Sequence, residues 1–239
     1  MSRAWLYVLA GCGRVAFVPL DDAHPADGIA GLVVRYPMDD DPQLGQVTAI
    51  PASFTAPCSV CPTAIAGQRD GAHYYPGTVR VVLPGTEMLV SEVTPFTLSV
   101  WLEASPTAAE IQMPVSKPRA TDSSLNTLNL LVREDGRIEY EIANASNAPQ
   151  FFPPVGMPTP SIRFGWHHVA MGWDGTKHTL DLDGVRYQDG THSRSSSQPV
   201  GIGADEDFGG LVYGYTGGID ELRFYDRALE PTEIMLLAQ

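Results

Sequence analysis

Basic residues are scarce in this chain. Fifteen Lys and Arg stand against 28 Asp and Glu, giving a formal net charge of −13 at pH 7, and charged residues of both signs make up only 18% of the sequence. Such a surface repels polyphosphates and has no counterion release to gain from them, which excludes nucleic acid as a partner and argues equally against an anionic membrane surface. Cations are the natural small partners of so acidic a chain. Cysteine is scarce too, with three in 239 residues. Cys58 and Cys61 form a single C-x-x-C pair, and a thiolate zinc site would need a second pair that the sequence lacks. The pair lies in a Pro- and Ala-rich loop, away from the strand-to-helix junction that a thioredoxin-like redox motif requires. No apolar run is long enough to cross a bilayer as a helix. Nucleophile elbows of the G-x-S-x-G type, phosphate-cradling glycine loops and the E-x-D-x-E run of β-glucanases are all missing.

Glycine and proline, by contrast, are abundant, at 23 and 20 residues. They divide the chain into short runs of alternating or continuous apolar character, as a turn-rich antiparallel β protein requires. The expected strands are 32–38, 71–75, 79–83, 96–103, 109–117, 127–133, 137–142, 166–173, 179–182, 185–188, 199–202 and 218–226. A helical period occurs only at 231–238, where Pro231 occupies a helix start that does not need its missing N–H. The length suits one well-buried sandwich. Residues 31–239 are expected to form that domain and 1–30 a leader or N-terminal arm.

The end of the chain carries the strongest motif, Gly217-Gly218-Ile219-Asp220-Glu221-Leu222-Arg223-Phe224-Tyr225-Asp226-Arg227-Ala228-Leu229. Strict alternation would put Asp220 on one face with Leu222 and Phe224, where a carboxylate is costly unless a cation or several donors meet it. This segment resembles the closing strand of the concanavalin A-like, laminin-G-like jelly-roll domains of bacterial exported proteins. Phe96-Thr97-Leu98-Ser99-Val100-Trp101-Leu102 resembles that family's central strand, and Gly165-Trp166-His167-His168-Val169-Ala170 another of its strands. Asp174-Gly175 and Asp183-Gly184 fall where the family has hairpin turns, and Gly31-Leu32-Val33-Val34-Arg35-Tyr36-Pro37-Met38-Asp39 is similar to its opening strand. The resemblance covers the chain from about Gly31 onward and implies an all-β antiparallel sandwich with a short C-terminal helix.

In a jelly roll the first and last strands are neighbours, which brings Asp39 toward Asp220. Two carboxylates with backbone carbonyls nearby suit calcium, and the resemblance implies a structural calcium in a comparable place. The alternative is that Asp39 opens a turn and Asp220 accepts backbone donors without a metal. Recognition residues are expected in loops. Loop 203–217 offers Phe208, Tyr213 and Tyr215 as ligand-binding candidates, while Phe151 and Phe152 in loop 144–163 either stack on sugars or fold back over a sheet. Glu139 and Glu141 have the two-residue spacing that places two carboxylates on one strand face, but Ile138, Tyr140 and Ile142 claim the core and leave that face to solvent. His167 and His168 are adjacent on a strand and point to opposite faces, so they cannot grip one ion together. Trp101 is expected to pack against neighbouring strands.

Arg3 followed by an apolar run at 4–10 and Leu9-Ala10-Gly11-Cys12 resembles a bacterial lipoprotein leader with Cys12 as the lipidated residue. Export to an oxidising compartment would let Cys58 and Cys61 close a local disulfide. The expected role is a non-catalytic recognition or adhesion module whose partner is a glycan or a cell-surface protein. The rival roles are an assembly protein packing against other chains and a polysaccharide-active enzyme.

Overall fold

The computed structural model of the protein describes residues 25–239 apart from 92, 109, 121–124, 144–148, 154–157 and 191–195. Cys12 and residues 1–24 of the expected leader or arm therefore lie outside the described residues. The strands are β1 (Leu32–Tyr36), β2 (Gln46–Val47), β3 (Ala56–Pro57), β4 (Thr63–Ala66), β5 (Gly71–Pro76), β6 (Val81–Leu83), β7 (Phe96–Ala104), β8 (Gln112–Pro118) and β9 (Asn126–Val132). They continue as β10 (Ile138–Ala143), β11 (Pro149–Phe152), β12 (His167–Trp173), β13 (His178–Leu182), β14 (Val185–Gly190), β15 (Val200–Ile202), β16 (Asp205–Asp207), β17 (Gly210–Val212) and β18 (Thr216–Tyr225), followed by helix α1 (Pro231–Leu237).

Two antiparallel sheets face each other. One runs β14-β13-β12-β7-β18-β5-β4, with β1 added to β18, and the other runs β11-β10-β9-β8-β15-β6. Alternation explains why they stack: Leu98, Val100 and Leu102 of β7 and Val169 and Met171 of β12 point inward to meet Leu128 and Leu130 of β9 and Ile138, Tyr140 and Ile142 of β10. All of these are at most 2% exposed, and each contributes roughly 1.5–3 kcal/mol by leaving water. Asp183 and Gly184 take positive φ values of 51° and 76° in the tight turn between β13 and β14, as a two-residue hairpin loop requires. Helix α1 begins with Pro231, and the Glu233 carboxylate accepts the Glu230 backbone N–H at 2.9 Å. Its Ile234 and Leu237 cover Ala170 and Tyr225 on the outer side of the larger sheet.

The face assignment of β18 differs from strict alternation. Opposite β7, Ile219 pairs with Leu102 and Phe224 with Leu98, both core positions, whereas Asp220 pairs with Trp101 and Arg223 with Ser99. A bulge between Asp220 and Arg223, with Glu221 at φ 52°, adds one residue and inverts the parity. Asp220 therefore lies on the outer face, away from Leu222 and Phe224. Trp101 is packed there, 5% exposed, edge-on to His168 at 5.4 Å between centroids. The expected strands are present. Strands β4, β11, β16 and β17 occupy stretches read as loops, because four or fewer residues beside Gly and Pro carry no clear period.

Candidate ligand-binding site

The outer surface of the smaller sheet is where polar side chains gather. On β9, Leu128, Leu130 and Val132 face the core, which turns Thr127, Asn129 and Leu131 outward. Across the ladder Asn129 lies opposite Glu141, and Glu141 lies opposite Phe151 of β11. The β16–β17 hairpin adds Asp205 and Asp207. Its two-residue tip, Phe208 and Gly209, has φ values of 50° and 79°. The left-handed region is costly for a bulky aromatic, so an exposed phenylalanine held there marks this tip as unusual.

These elements enclose a cavity of about 310 Å³ lined by Ile111, Met113, Asn126, Leu131, Arg133, Glu141, Phe151, Asp207 and Tyr213. Phe151 and Tyr213 present partly exposed rings. The Arg133 guanidinium stands 5.0 Å from the centroid of the Phe151 ring and donates from Nε to Glu139 at 2.6 Å. Asn129 Nδ2 donates to Glu141 at 3.0 Å, and Asn126 Nδ2 to Asp205 at 2.6 Å. Burial raises the pKa of Glu141, against the lowering effect of the Asn129 bond, and the Asp205 charge raises it further. Asp207 is raised as well, by burial first and then by Asp205.

Three sequence-based assignments change. Tyr215 is fully buried, its hydroxyl donating to the Gly218 carbonyl at 3.2 Å, so it is a core residue and offers no surface to a ligand. Glu141 is partly buried in the cavity, because the β16–β17 hairpin and the neighbouring Phe151 side chain flank it on the strand face that alternation assigned to solvent. Phe151 belongs to a strand and lines the cavity. Of the remaining candidates, Tyr213 is in the cavity wall and Phe208 is 72% exposed one residue beyond Asp207. Asn126, Asn129 and Arg133 were missed; the outward alternation of Asn129 and Arg133 was legible, but Asn126 shares its parity with the core residues and reaches the cavity only past an irregularity in the pairing of β8 with β9.

Asp39 and Asp220 meet around the loop between β4 and β5. Asp39 Oδ1 accepts the Gly71 N–H and Asp220 Oδ2 the Arg69 N–H, each at 3.0 Å. Backbone donors thus reach both residues, while the buried Asp220 Oδ1 has no partner. Burial pushes the Asp220 pKa up to about 7; the Arg69 N–H opposes this, and the Glu221 and Asp39 charges add to it. An unpaired buried oxygen beside a second carboxylate fits a hard cation. Among the described residues, however, no three His, Cys, Asp or Glu side chains converge as a metal cluster, so the remaining ligands would have to be carbonyls or water. The adjacent Glu221 is neutralised by Arg35, whose Nε donates at 2.7 Å, and by Arg223 at 2.8 Å. Cys58 and Cys61 are joined in a disulfide.

A second concavity, of about 380 Å³, has Gly217 and Gly218 among its lining together with Tyr74, Glu103, Ser105, Arg163 and Phe164, and its exposed lining is the more apolar of the two. His167 is held by Asp183 at 2.8 Å and His168 by Ser99 at 2.8 Å, each engaged separately.

Two facing antiparallel sheets with a polar and aromatic cavity on the outer side of one define a jelly-roll sandwich. A model of the concanavalin A-like lectin/glucanases superfamily matches residues 77–235, and the chain belongs to that family. No curated protein matches the sequence. Among solved structures it is similar to domain 4 of AbnA, an extracellular arabinanase from Geobacillus stearothermophilus, in complex with arabinotriose. The identity is 19% and the TM-score 0.64, over 87% of this chain and 98% of that domain. It is also similar to Trypanosoma rangeli sialidase, at 15% identity and TM-score 0.65, over 88% of this chain and 32% of the enzyme. A third is the botulinum neurotoxin serotype D ligand-binding domain in complex with N-acetylneuraminic acid, at 9% identity and TM-score 0.60, over 87% of this chain and 50% of that one. The chain thus spans a whole arabinanase domain but a third to a half of the other two.

Proposed function

We propose that the protein is a non-catalytic carbohydrate-recognition module whose binding site is the cavity of Phe151, Tyr213, Asn126 and Glu141. The observation that carries this reading is the meeting of two aromatic rings with amide and carboxylate oxygens in one cleft. Apolar rings cover the C–H faces of a sugar while fixed polar groups select its hydroxyls. The arabinotriose and N-acetylneuraminic acid complexes of similar folds lend it support. A glycan microarray followed by calorimetry tests it: binding should fall at least tenfold in Tyr213→Ala and in Phe151→Ala. Binding lost instead in Phe164→Ala would move the site to the second concavity. No glycan binding, together with oligomers by size exclusion, would favour the assembly role.

An enzyme remains the second reading because two carboxylates with raised pKa, Glu141 and Asp207, line one cavity, as acid and nucleophile or base do in glycosidases. Glu139 is unsuited to such a role, being tied to Arg133. Hydrolysis of a polysaccharide panel, abolished by Glu141→Gln, would establish catalysis. Export from a bacterial cell is part of the proposal and is supported by the Cys58–Cys61 disulfide, since such bonds persist in oxidising compartments. Mass spectrometry of the native protein tests lipidation of Cys12. Calcium held by Asp39 and Asp220 is proposed as a structural clasp between the opening strand and the closing strand.

A further inference from the structure

The hydrogen-bond balance around the cavity is one-sided. Asn126 Oδ1 and Asp207 Oδ1, both on lining residues, are buried without a partner. Directly behind them the same holds for Asn129 Oδ1 and Asp205 Oδ1, on two side chains that are 0% exposed. Every one of these atoms is an acceptor. On the same side chains one amide hydrogen is engaged within the chain, Asn126 Nδ2 donating to Asp205 and Asn129 Nδ2 to Glu141. A buried acceptor left unpaired is costly, so the two on the lining, Asn126 Oδ1 and Asp207 Oδ1, call for donors from outside the chain. Charge is one-sided as well. Glu141 and Asp207 line the cavity, and Arg133, the one cation in its lining, is paired with Glu139.

Resting on the carbohydrate reading above, we infer that this cavity takes uncharged, hydroxyl-rich saccharides and discriminates against carboxylated ones such as sialic acids and uronates. Sugar hydroxyls, directly or through bridging water, supply O–H donors to the surplus oxygens. A carboxylated sugar brings further acceptors to a site whose unpaired lining oxygens are already acceptors, and negative charge to a negative wall. Arg133 is already paired with Glu139 through Nε and Nη2, which leaves such a ligand only its remaining N–H groups and a cation whose charge is already balanced. Discrimination here comes from repulsion as much as from fit.

The test uses the full chain on an array of neutral arabino-, xylo-, gluco- and galacto-oligosaccharides beside sialyl-lactosamine and oligogalacturonides, with affinities by calorimetry. Neutral glycans should bind, and a carboxylated glycan should bind at least tenfold more weakly than its uncharged counterpart. Asn126→Leu should weaken it about tenfold, the value of one hydrogen bond of about 1.4 kcal/mol. Asp207→Lys should narrow the gap between neutral and carboxylated ligands. Unchanged melting temperatures in the exposed Tyr213→Ala variant guard against misfolding as the cause of lost binding. Carboxylated glycans binding as tightly as neutral ones, with loss in Tyr213→Ala, would overturn the inference and leave the carbohydrate reading standing. Absence of all glycan binding would remove both. Neutral binding indifferent to Asn126→Leu and Tyr213→Ala would overturn the inference by placing the site elsewhere.

Discussion

His168 should make this protein sensitive to mild acid in a measurable way. The ring is fully buried, with Nε2 against Ser99 Oγ at 2.8 Å and the Trp101 indole at its edge. Burial pushes its pKa from 6.5 down to about 3; Arg223 and Arg69 push the same way, and Asp183 opposes them. The folded state therefore holds His168 neutral while the unfolded chain protonates it below 6.5. Stability is unaffected above that pH and falls as pH decreases from 6.5 toward 3, because the unfolded state binds the extra proton. At pH 4.5 the loss is two pH units' worth, about 2.7 kcal/mol at 1.36 kcal/mol per unit. Other buried groups act in the opposite sense. Burial raises the pKa of Asp181, so its protonation on acidification favours the folded state. The clean measurement is thus a difference, namely urea unfolding free energies of the parent and His168→Gln at intervals from pH 8 to 4.5. The variant should be less stable at pH 7.5 by about 1–3 kcal/mol, for lost packing and a lost hydrogen bond, and the two curves should converge as pH falls. Parallel curves across the whole range would refute a neutral buried His168.

Glu221→Gln should destabilise the fold by about 3–5 kcal/mol in urea melts, because it leaves the fully buried Arg223 without its carboxylate. Tyr213→Ala should shift the melting temperature by no more than about 2 °C while reducing glycan affinity about tenfold; Tyr215→Ala should cost about 3–5 kcal/mol of stability, read by the same melts. Calcium at 100 times its dissociation constant should stabilise the parent by about 2.7 kcal/mol, with chelator reversing the shift and Asp220→Asn abolishing it. No response to either reagent would remove the metal from this site. Gly203→Ala should lower soluble yield, because the new Cβ would stand 2.2 Å from the Tyr75 ring at a residue with φ +90°.

How much of this was legible in the sequence varies with the range over which each feature is decided. The inward residues of β7, β9, β10 and β12 repeat every second position, so their strands and the sandwich were readable from alternation and turn residues alone. Asp183-Gly184 dictated its hairpin locally, since both residues tolerate positive φ. The same local rules misplaced Asp220, because a bulge at Glu221 is stabilised by Arg35 on β1, a contact 186 residues away in the chain. They also separated Tyr213 from Tyr215 too weakly: both are tyrosines two residues apart near a glycine, yet one enters the core with its ring against Gly217 and the other lines the cavity.

The sequence by itself thus determined the sandwich, its strand order along the chain and the acidic character that disfavours polyanionic partners. Those follow from side-chain periodicity and composition, which act over a few residues or over the whole chain at once. Only the tertiary structure decided which polar residues form a site. Asn126, Asn129, Glu141 and Asp207 come from β9, β10 and β16, and the unpaired oxygens of Asn126, Asn129 and Asp207 gather beside Glu141 only when the hairpin of β16 and β17 folds over the outer face of the smaller sheet.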